Sequence, residues 1–115
     1  MNREFLENWL SQLREYWIEK NPLKAASLFQ NTTYYQETPF DVAYTTYDEI
    51  LEEWQGIKNQ EIKELSFSIL AIDGDVAIVE WKFISNQEYD GIYEIKFNEN
   101  QECIYFKSWE MVRDE

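Results

Sequence analysis

The spacing of apolar residues divides the chain into a helical N-terminal part and a β-rich C-terminal part. Near the N-terminus, apolar side chains recur every three or four residues, which predicts an amphipathic helix over about 3–19. The pair Asn21-Pro22 combines a favourable N-cap with a favourable first helical residue. A second, short helix is therefore predicted from this pair to about Phe29.

Between the second helix and the C-terminal part, the pattern predicts one strand and one further helix. Residues 31–37 are rich in Thr and Tyr, which is typical of a strand, and Pro39 ends the strand because proline cannot donate to a ladder. Thr46 and Glu49 match a capping box, and Gly56 is predicted to close the helix that follows. The inward face of this third helix is predicted to consist of Tyr47, Ile50, Leu51 and Trp54.

After the third helix the apolar period changes to two, which is the period of a β-strand. Four strands are predicted, at about 62–72, 76–85, 91–98 and 103–112. In the first hairpin, a two-residue turn at 73–74 would place Trp81 opposite Ser66, whereas a three-residue loop at 73–75 would place it opposite Phe67. The second register is favoured because it collects apolar residues on one face. That face pairs Leu65, Phe67, Ile69 and Ala71 with Phe83, Trp81, Val79 and Ala77, and continues through Tyr93, Ile95 and Phe97.

Composition narrows the function classes. The 115 residues suit one domain over 1–115, and the net charge of −13 with scattered basic residues predicts no nucleic-acid partner and no membrane partner. No stretch has the character of a signal peptide or a membrane span, so a cytoplasmic protein is expected. Without histidine, and with Cys103 as the single cysteine, no metal, no cofactor and no His-dependent nucleophile is expected.

Three helices followed by an antiparallel meander predict the α+β class, with the helices on one face of the sheet. The order of YYQETPF, DEILEEW, VAIVEWKF, DGIYEIKFN and CIYFKSWE resembles the SnoaL-like branch of the nuclear-transport-factor-2-like superfamily, over Trp9 to Glu110. The resemblance implies a cone-shaped, cystatin-like roll in which three N-terminal helices pack in a curved, mostly antiparallel sheet, with a pocket at the open end. The superfamily includes ketosteroid isomerase, scytalone dehydratase and limonene epoxide hydrolase, and also binding proteins that catalyse nothing.

Two features of the chain depart from this resemblance. Enzymes of the group often use a His-Asp pair, and this chain has no histidine. At the end of the last strand, Ser108 stands where the family carries an acidic residue. A mechanism that needs a buried carboxylate at position 108 is therefore not available.

The candidate catalytic residues are Glu37, Glu110 and Tyr35. Alternation along the first strand places Tyr35 and Glu37 on one side, so that an acid of raised pKa would lie beside a hydrogen-bond donor. Alternation along the last strand groups Glu110 inward with Ile104, Phe106, Ser108 and Val112, at the mouth of the pocket. The alternative is that both acids lie in water at strand ends and Tyr35 fills the core. Asp90 has the setting of an ordinary turn residue.

The candidate ligand-binding residues are Trp17, Trp54, Trp81, Tyr93 and Ser108. Large aromatic residues belong to the core by default, but a pocket in such a fold is lined by some of the same side chains. These walls would suit a small, flat, apolar molecule. Binding of such a molecule is the leading hypothesis, and a cofactor-independent isomerase, hydrolase or dehydratase with Glu37 or Glu110 as base is the alternative.

The outer face of the sheet suggests an interface. It is predicted to carry many large apolar residues between charged ones, which usually marks a contact surface and favours an isologous homodimer. An adaptor that binds another protein through this face is a third hypothesis. The apolar residues in question are Leu70, Ile72, Val76, Ile78, Tyr105, Trp109 and Met111.

Overall fold

Three helices pack with one open, mixed sheet in the computed structural model, which describes residues 1–113, and the first strand lies between the second and third helices in the chain. The helices are α1 (Arg3–Ile18), α2 (Pro22–Ser27) and α3 (Tyr47–Trp54), and a 3₁₀ helix over Gln55–Asn59 continues α3. The strands are β1 (Tyr34–Gln36), β2 (Glu64–Asp73), β3 (Val76–Ile84), β4 (Glu88–Phe97) and β5 (Cys103–Val112). The predicted α+β roll is confirmed.

Each helix begins at a side-chain cap that the sequence provides. The side chain of Asn2 accepts from the Phe5 backbone N–H at 2.8 Å, and that of Asn21 caps α2 in the same way. Thr46 and the third residue of α3 form the predicted capping box. The predicted end at Gly56 is wrong: its φ is not positive, and the chain continues through it as a 3₁₀ helix.

The sheet has the order β1-β5-β4-β3-β2. β1 pairs with β5 in parallel, and the other neighbours are antiparallel. An isolated bridge holds the other edge of β1, where the backbone of Tyr35 exchanges hydrogen bonds of 2.9 and 2.8 Å with that of Tyr44. The long connection to α3 is thereby drawn back against the sheet.

The predicted register around Trp81 is confirmed, but the predicted turn is wrong. Trp81 pairs with Phe67, while Asp73 pairs with Val76, so the turn contains only two residues, 74 and 75. Gly74 supplies the positive φ of 59° that a tight hairpin requires at its first central position. A β-bulge between Ile69 and Ala71 inserts the one residue that reconciles this short turn with the Trp81 register.

The bulge also changes which of two neighbouring residues faces the core. Ile72 pairs with Ala77 and packs against the core, and Ala71 is exposed. The predictions of Ala71 on the inner face and Ile72 on the outer face are therefore wrong. Both errors have one cause, because a single inserted residue reverses side-chain alternation beyond it.

Strands β4 and β5 contain two similar departures from the predicted pattern. The register shifts after Lys96, so that Cys103 pairs with Phe97 and is buried. Simple alternation along β5 fails at this point, and the prediction of Ile104 on the inner face is therefore wrong. β4 also begins earlier than predicted. Asp90 consequently lies within the ladder, between Lys82 and Met111, and not in a turn.

Aromatic side chains connect the helices to the sheet. Phe29 is fully buried, and its ring lies within 6 Å of those of Trp9, Tyr35, Trp54 and Phe106, with centroid separations of 5.6, 5.2, 5.9 and 5.0 Å. Edge-to-face and offset arrangements of this kind stabilise a core beyond simple area burial. None of the helices within residues 1–113 combines the length and apolarity that a bilayer crossing needs.

Candidate functional site

A cavity of about 590 Å³ lies between the helical layer and the inner face of the sheet. Its walls come from α1, from α3 and the 3₁₀ helix, from the end of β1, from β3 to β5, and from the loop at 85–87. The candidate residues of the sequence analysis all line this one cavity, whatever their roles. They are Glu37, Glu110 and Tyr35, proposed as catalytic, and Trp17, Trp54, Trp81, Tyr93 and Ser108, proposed as ligand-binding.

Trp81 forms part of the cavity floor because the neighbouring strand has a glycine opposite it. Gly91 pairs with Trp81 across β3 and β4. A Cβ atom at position 91 would lie 2.5 Å from Cε2 of the Trp81 indole and 2.5 Å from the carbonyl oxygen of Trp109. The indole therefore lies over Gly91, and Gly91 provides the space for it.

Two of the three tryptophans in the wall have their N–H groups bonded within the protein. Trp81 Nε1–H donates to Oγ of Ser108 at 3.0 Å, and Trp17 Nε1–H donates to Oε1 of Gln60 at 2.8 Å. The buried Nε1–H of Trp54 has no partner within residues 1–113. Trp17 packs edge-to-face on Trp54 at 5.1 Å and stacks on Phe83 at 5.4 Å, which holds this side of the wall in place.

Glu37 faces the cavity and shares it with two other carboxyl groups. The residue as a whole is exposed, and its side chain lines the cavity, with Oε1 at 3.4 Å from the hydroxyl of Tyr35. The pKa of Glu37 is raised from 4.5 to about 8. Burial is the largest cause, and the negative charges of Glu53 and Glu110 are the next. Hydrogen bonding to Glu53 adds to the rise in the pKa of Glu37.

Two tyrosines beside Glu37 differ in what their hydroxyl groups contact. The Tyr35 hydroxyl donates to Oε1 of Glu37 at 3.4 Å, so this donor is directed at the acid. Tyr93 is also buried, and its hydroxyl has no hydrogen-bond partner in the part of the chain that the structure describes. Burial, followed by the charge of Glu37, raises the pKa of both tyrosines well above 10.0. Both hydroxyls keep their protons at neutral pH.

Glu110 lies toward the mouth of the cavity, as alternation along β5 predicts. It pairs with Gly91 across the sheet and is partly open to solvent. Burial, then the nearby charge of Asp41, raises the pKa of Glu110 above 4.5. The exposed carboxyl side of Glu110 and the polar loop at 85–87 make this end of the cavity more polar than its floor.

Glu53 is a lining residue that the sequence analysis missed. It lies on α3 immediately before Trp54, and its Oε2 accepts a hydrogen bond of 2.9 Å from the Tyr44 hydroxyl. That hydrogen bond raises the pKa of Tyr44 to about 12. The position of Glu53 in the sequence could have indicated this role, because Glu53 follows Ile50 by three residues and so lies at the margin of the predicted inward face of the helix.

The charges that line the cavity have one sign. Its three ionisable carboxyl groups, Glu37, Glu53 and Glu110, are accompanied by no Lys or Arg among the lining residues. Within residues 1–113, no group of acidic and cysteine side chains is arranged to hold a metal ion. Cys103 is not part of the lining, and burial raises the pKa of its thiol to about 12, so the thiol is unreactive.

Comparison with known proteins yields structural matches alone. No protein-family model and no curated protein matches the sequence. An NTF-2 like protein of unknown function from Burkholderia xenovorans superimposes with a TM-score of 0.75 at 9% identity, over 100% of this chain and 88% of that one. A steroid delta-isomerase from Pseudomonas aeruginosa superimposes with a TM-score of 0.71 at 13% identity, over 93% of this chain and 80% of that one. The chain has the nuclear-transport-factor-2-like fold.

A SnoaL-like protein from Shewanella denitrificans matches comparably, with a TM-score of 0.67 at 12% identity over 91% of this chain and 89% of that one. The expected superfamily fold is thus confirmed over nearly the whole chain. At these identities the likeness concerns the nuclear-transport-factor-2-like fold and carries no activity with it. Function has to be argued from the cavity.

Proposed function

We propose that the protein binds a small molecule with a flat, largely apolar body inside the cavity. The observation that carries this proposal is the aromatic wall around a space of about 590 Å³, a volume within the range of ligand sites. The N–H groups of Trp17 and Trp81 are already bonded within the protein, so the free surface of these rings is apolar. Polar contacts would come from Tyr93 and from the carboxyl groups toward the mouth.

A thermal-shift screen with a blocked variant tests this proposal. Flat mono- and bicyclic molecules that bind the folded state should raise its melting temperature by mass action. Ser85→Trp places a large side chain at the mouth of the cavity and should abolish the shift, whereas Asn100→Trp, in the exposed turn before β5, should retain it. Equal shifts in the two variants would show that the ligands bind elsewhere, and the proposal would fail.

Proton transfer is the second candidate function, and the setting of Glu37 favours it. A carboxyl group with a pKa of about 8 is partly ionised near neutral pH, which suits a general acid or base. A steroid delta-isomerase shares this fold. In this chain, ionised Glu37 would remove a proton from carbon next to a carbonyl, and Tyr93 would donate to the resulting enolate oxygen.

Deuterium uptake by β-tetralone in D₂O tests this candidate, because exchange requires only removal and return of one proton. Wild-type protein should accelerate exchange, and the rate should rise with pH until it levels off above about 8, since Glu37 must be ionised. Glu37→Gln should reduce the acceleration to that of buffer. Unchanged exchange in this variant would exclude Glu37 as the base.

The outer sheet face supports the proposal of a homodimer. Lys96 lies 4.5 Å over the ring of Tyr105, which stacks on Tyr34 at 4.8 Å, and Lys107 lies 4.6 Å over Trp109. Met111 extends this apolar surface and is 62% exposed. An isologous contact would bury these groups against their own copies. A different protein partner on the same face is the adaptor alternative.

Sedimentation velocity at tens of micromolar protein separates these alternatives. The wild type should sediment as a dimer, and Met111→Glu should shift it to a monomer. Leu23→Glu is the matched control, because Leu23 on α2 is also 62% exposed but lies away from the sheet. A monomeric wild type would contradict the dimer and leave the adaptor hypothesis.

A further inference from the structure

We infer that the cavity takes an organic cation, namely a ligand that carries an ammonium group on its flat apolar body. This inference rests on the proposed binding function and names the chemical class of the ligand. It depends on three features of the wall: the aromatic rings, the sign of the charges, and one free hydroxyl group.

The aromatic rings can surround a cation without competing with one another for hydrogen bonds. Trp81 stacks on Tyr93 at 5.5 Å, and Tyr93 contacts Phe106 at 4.5 Å, so these rings form a continuous floor. Trp17 and Phe83 form a second stacked pair in the lining. Ring faces attract ammonium groups through their quadrupoles, and cages of several rings recognise alkylated ammonium groups in this way.

The charges of the lining favour a cation and oppose an anion. Glu37, Glu53 and Glu110 line the cavity, and no Lys or Arg lies among the lining residues to balance them. The whole chain carries a net charge of −13, which adds a long-range field of the same sign. A ligand carboxylate or phosphate would be repelled here, whereas an ammonium group would relieve the repulsion between the carboxyl groups.

The Tyr93 hydroxyl is a second feature of the cavity wall, independent of the acids, that is available to a ligand. The residue is 5% exposed and lines the cavity, yet its hydroxyl has no hydrogen-bond partner within residues 1–113. Within residues 1–113 the buried polar atom without a partner is Nε1 of Trp54 and not the Tyr93 oxygen, so the Tyr93 hydroxyl is open to the cavity space. A polar atom on the ligand body, close to the ammonium group, would supply its hydrogen-bond partner. The acids alone would not define a site, but the rings and this hydroxyl converge with them on one cavity.

A matched pair of probes tests the charge and nothing else. 4-(Trimethylammonio)benzyl alcohol and 4-tert-butylbenzyl alcohol have nearly the same shape, and neither titrates between pH 6 and pH 9. Isothermal titration calorimetry on the wild-type protein should give at least about tenfold tighter binding of the cation, which corresponds to the range expected for a desolvated cation–π contact. The preference should shrink as salt is added.

The possible outcomes separate this inference from the proposed function. Binding of the neutral alcohol with equal or greater affinity would overturn the inference and leave the binding function in place. Failure of both probes to bind would overturn both. Glu53→Gln and Glu110→Gln should each weaken binding of the cation several-fold more than they weaken binding of the neutral probe. Glu99→Gln, an exposed carboxylate in the turn before β5, controls for net charge, and an equal loss there would contradict a local site.

The pH dependence provides a further check on the site. A bound cation favours ionised Glu37, so its affinity should rise by up to about tenfold between pH 7 and pH 9, with no such rise in Glu37→Gln. The ammonium probe keeps its charge throughout, so the change belongs to the protein. A flat profile in the wild type would contradict contact between the cation and Glu37. The titratable groups that face Glu37 from the surrounding elements are Tyr35, Tyr44, Glu53, Tyr93 and Glu110.

Discussion

Glu37 combines two properties that rarely occur together, since it borders a cavity large enough for a ligand and keeps its proton near neutral pH. The pKa of about 8 arises first from burial and then from the charges of Glu53 and Glu110. The same neighbours that make Glu37 a weak acid make the folded state sensitive to pH. The candidate site and the stability of the protein are therefore linked at one residue.

The effect of Glu37 on stability has a definite sign. The pKa is raised in the folded state, so between pH 4.5 and about 8 the unfolded chain binds fewer protons at this residue than the folded chain. Its contribution to the free energy of unfolding is thus fully present below pH 4.5 and is lost as pH rises to 8. Glu37→Gln should remove this decrease in the free energy of unfolding with pH, because glutamine does not ionise.

Thermal melts of the wild type and Glu37→Gln between pH 5 and pH 9 measure the difference. The variant should gain stability relative to the wild type as pH rises, and the gain should level off above about pH 8. Glu99→Gln should follow the wild-type profile. Parallel profiles for the wild type and Glu37→Gln would show that Glu37 titrates at its ordinary pKa.

Gly91 is the second residue on which the site depends. In Gly91→Ala the new methyl group would meet both the Trp81 indole and the Trp109 carbonyl oxygen, and it should reduce the free energy of unfolding by about 1–3 kcal/mol. Gly56→Ala is the matched control, because a Cβ there meets nothing within 4 Å and should change stability little. Guanidinium denaturation measures both, and an equal effect of the two substitutions would contradict the packing of Trp81 over Gly91.

At the scale of elements, α3 matters most to the site because it carries both Glu53 and Trp54. Its first turn is held by the capping box, in which Thr46 Oγ1 accepts from the Glu49 backbone N–H at 3.3 Å. Thr46→Ala should therefore reduce the free energy of unfolding by about 0.5–2 kcal/mol, and Thr46→Ser should restore most of the loss. Denaturant titration of the three proteins tests this, and an unchanged Thr46→Ala midpoint would show that packing alone holds α3.

The strands show which structural features can be predicted from sequence. The register at Trp81 followed from side-chain alternation, because misplacing it by one residue would expose the inner face. The bulge after Ile69 and the shift after Lys96 could not be predicted, since an inserted residue leaves no distinctive composition. Beyond each irregularity the predicted faces failed, at Ala71, Ile72 and Ile104. Side-chain alternation therefore predicts the inward face of a strand only between one such irregularity and the next.

At the scale of the whole molecule, the sequence contained the fold and most of the cavity lining. Trp81 and Tyr93 could be predicted from strand alternation, and Trp17 and Trp54 from helical periodicity. Alternation along the first strand grouped Glu37 with Tyr35. Glu53 could not be predicted, because its approach to Glu37 depends on where α3 lies relative to the end of β1, which no local pattern specifies. The consequence is chemical: two candidate acids were predicted, Glu37 and Glu110, and Glu53 adds a third carboxyl group to the same cavity.

The proposed chemistry of the cavity depends most directly on the protonation state of Glu37. Selective ¹³C labelling of glutamate, with Glu37→Gln to assign the resonance, allows the side-chain carboxyl of Glu37 to be followed by NMR from pH 4 to pH 10. We expect its resonance to titrate near pH 8, shifted by burial and by Glu53 and Glu110. A midpoint near 4.5 would mean that Glu37 lies in water, and would contradict the cavity chemistry described above.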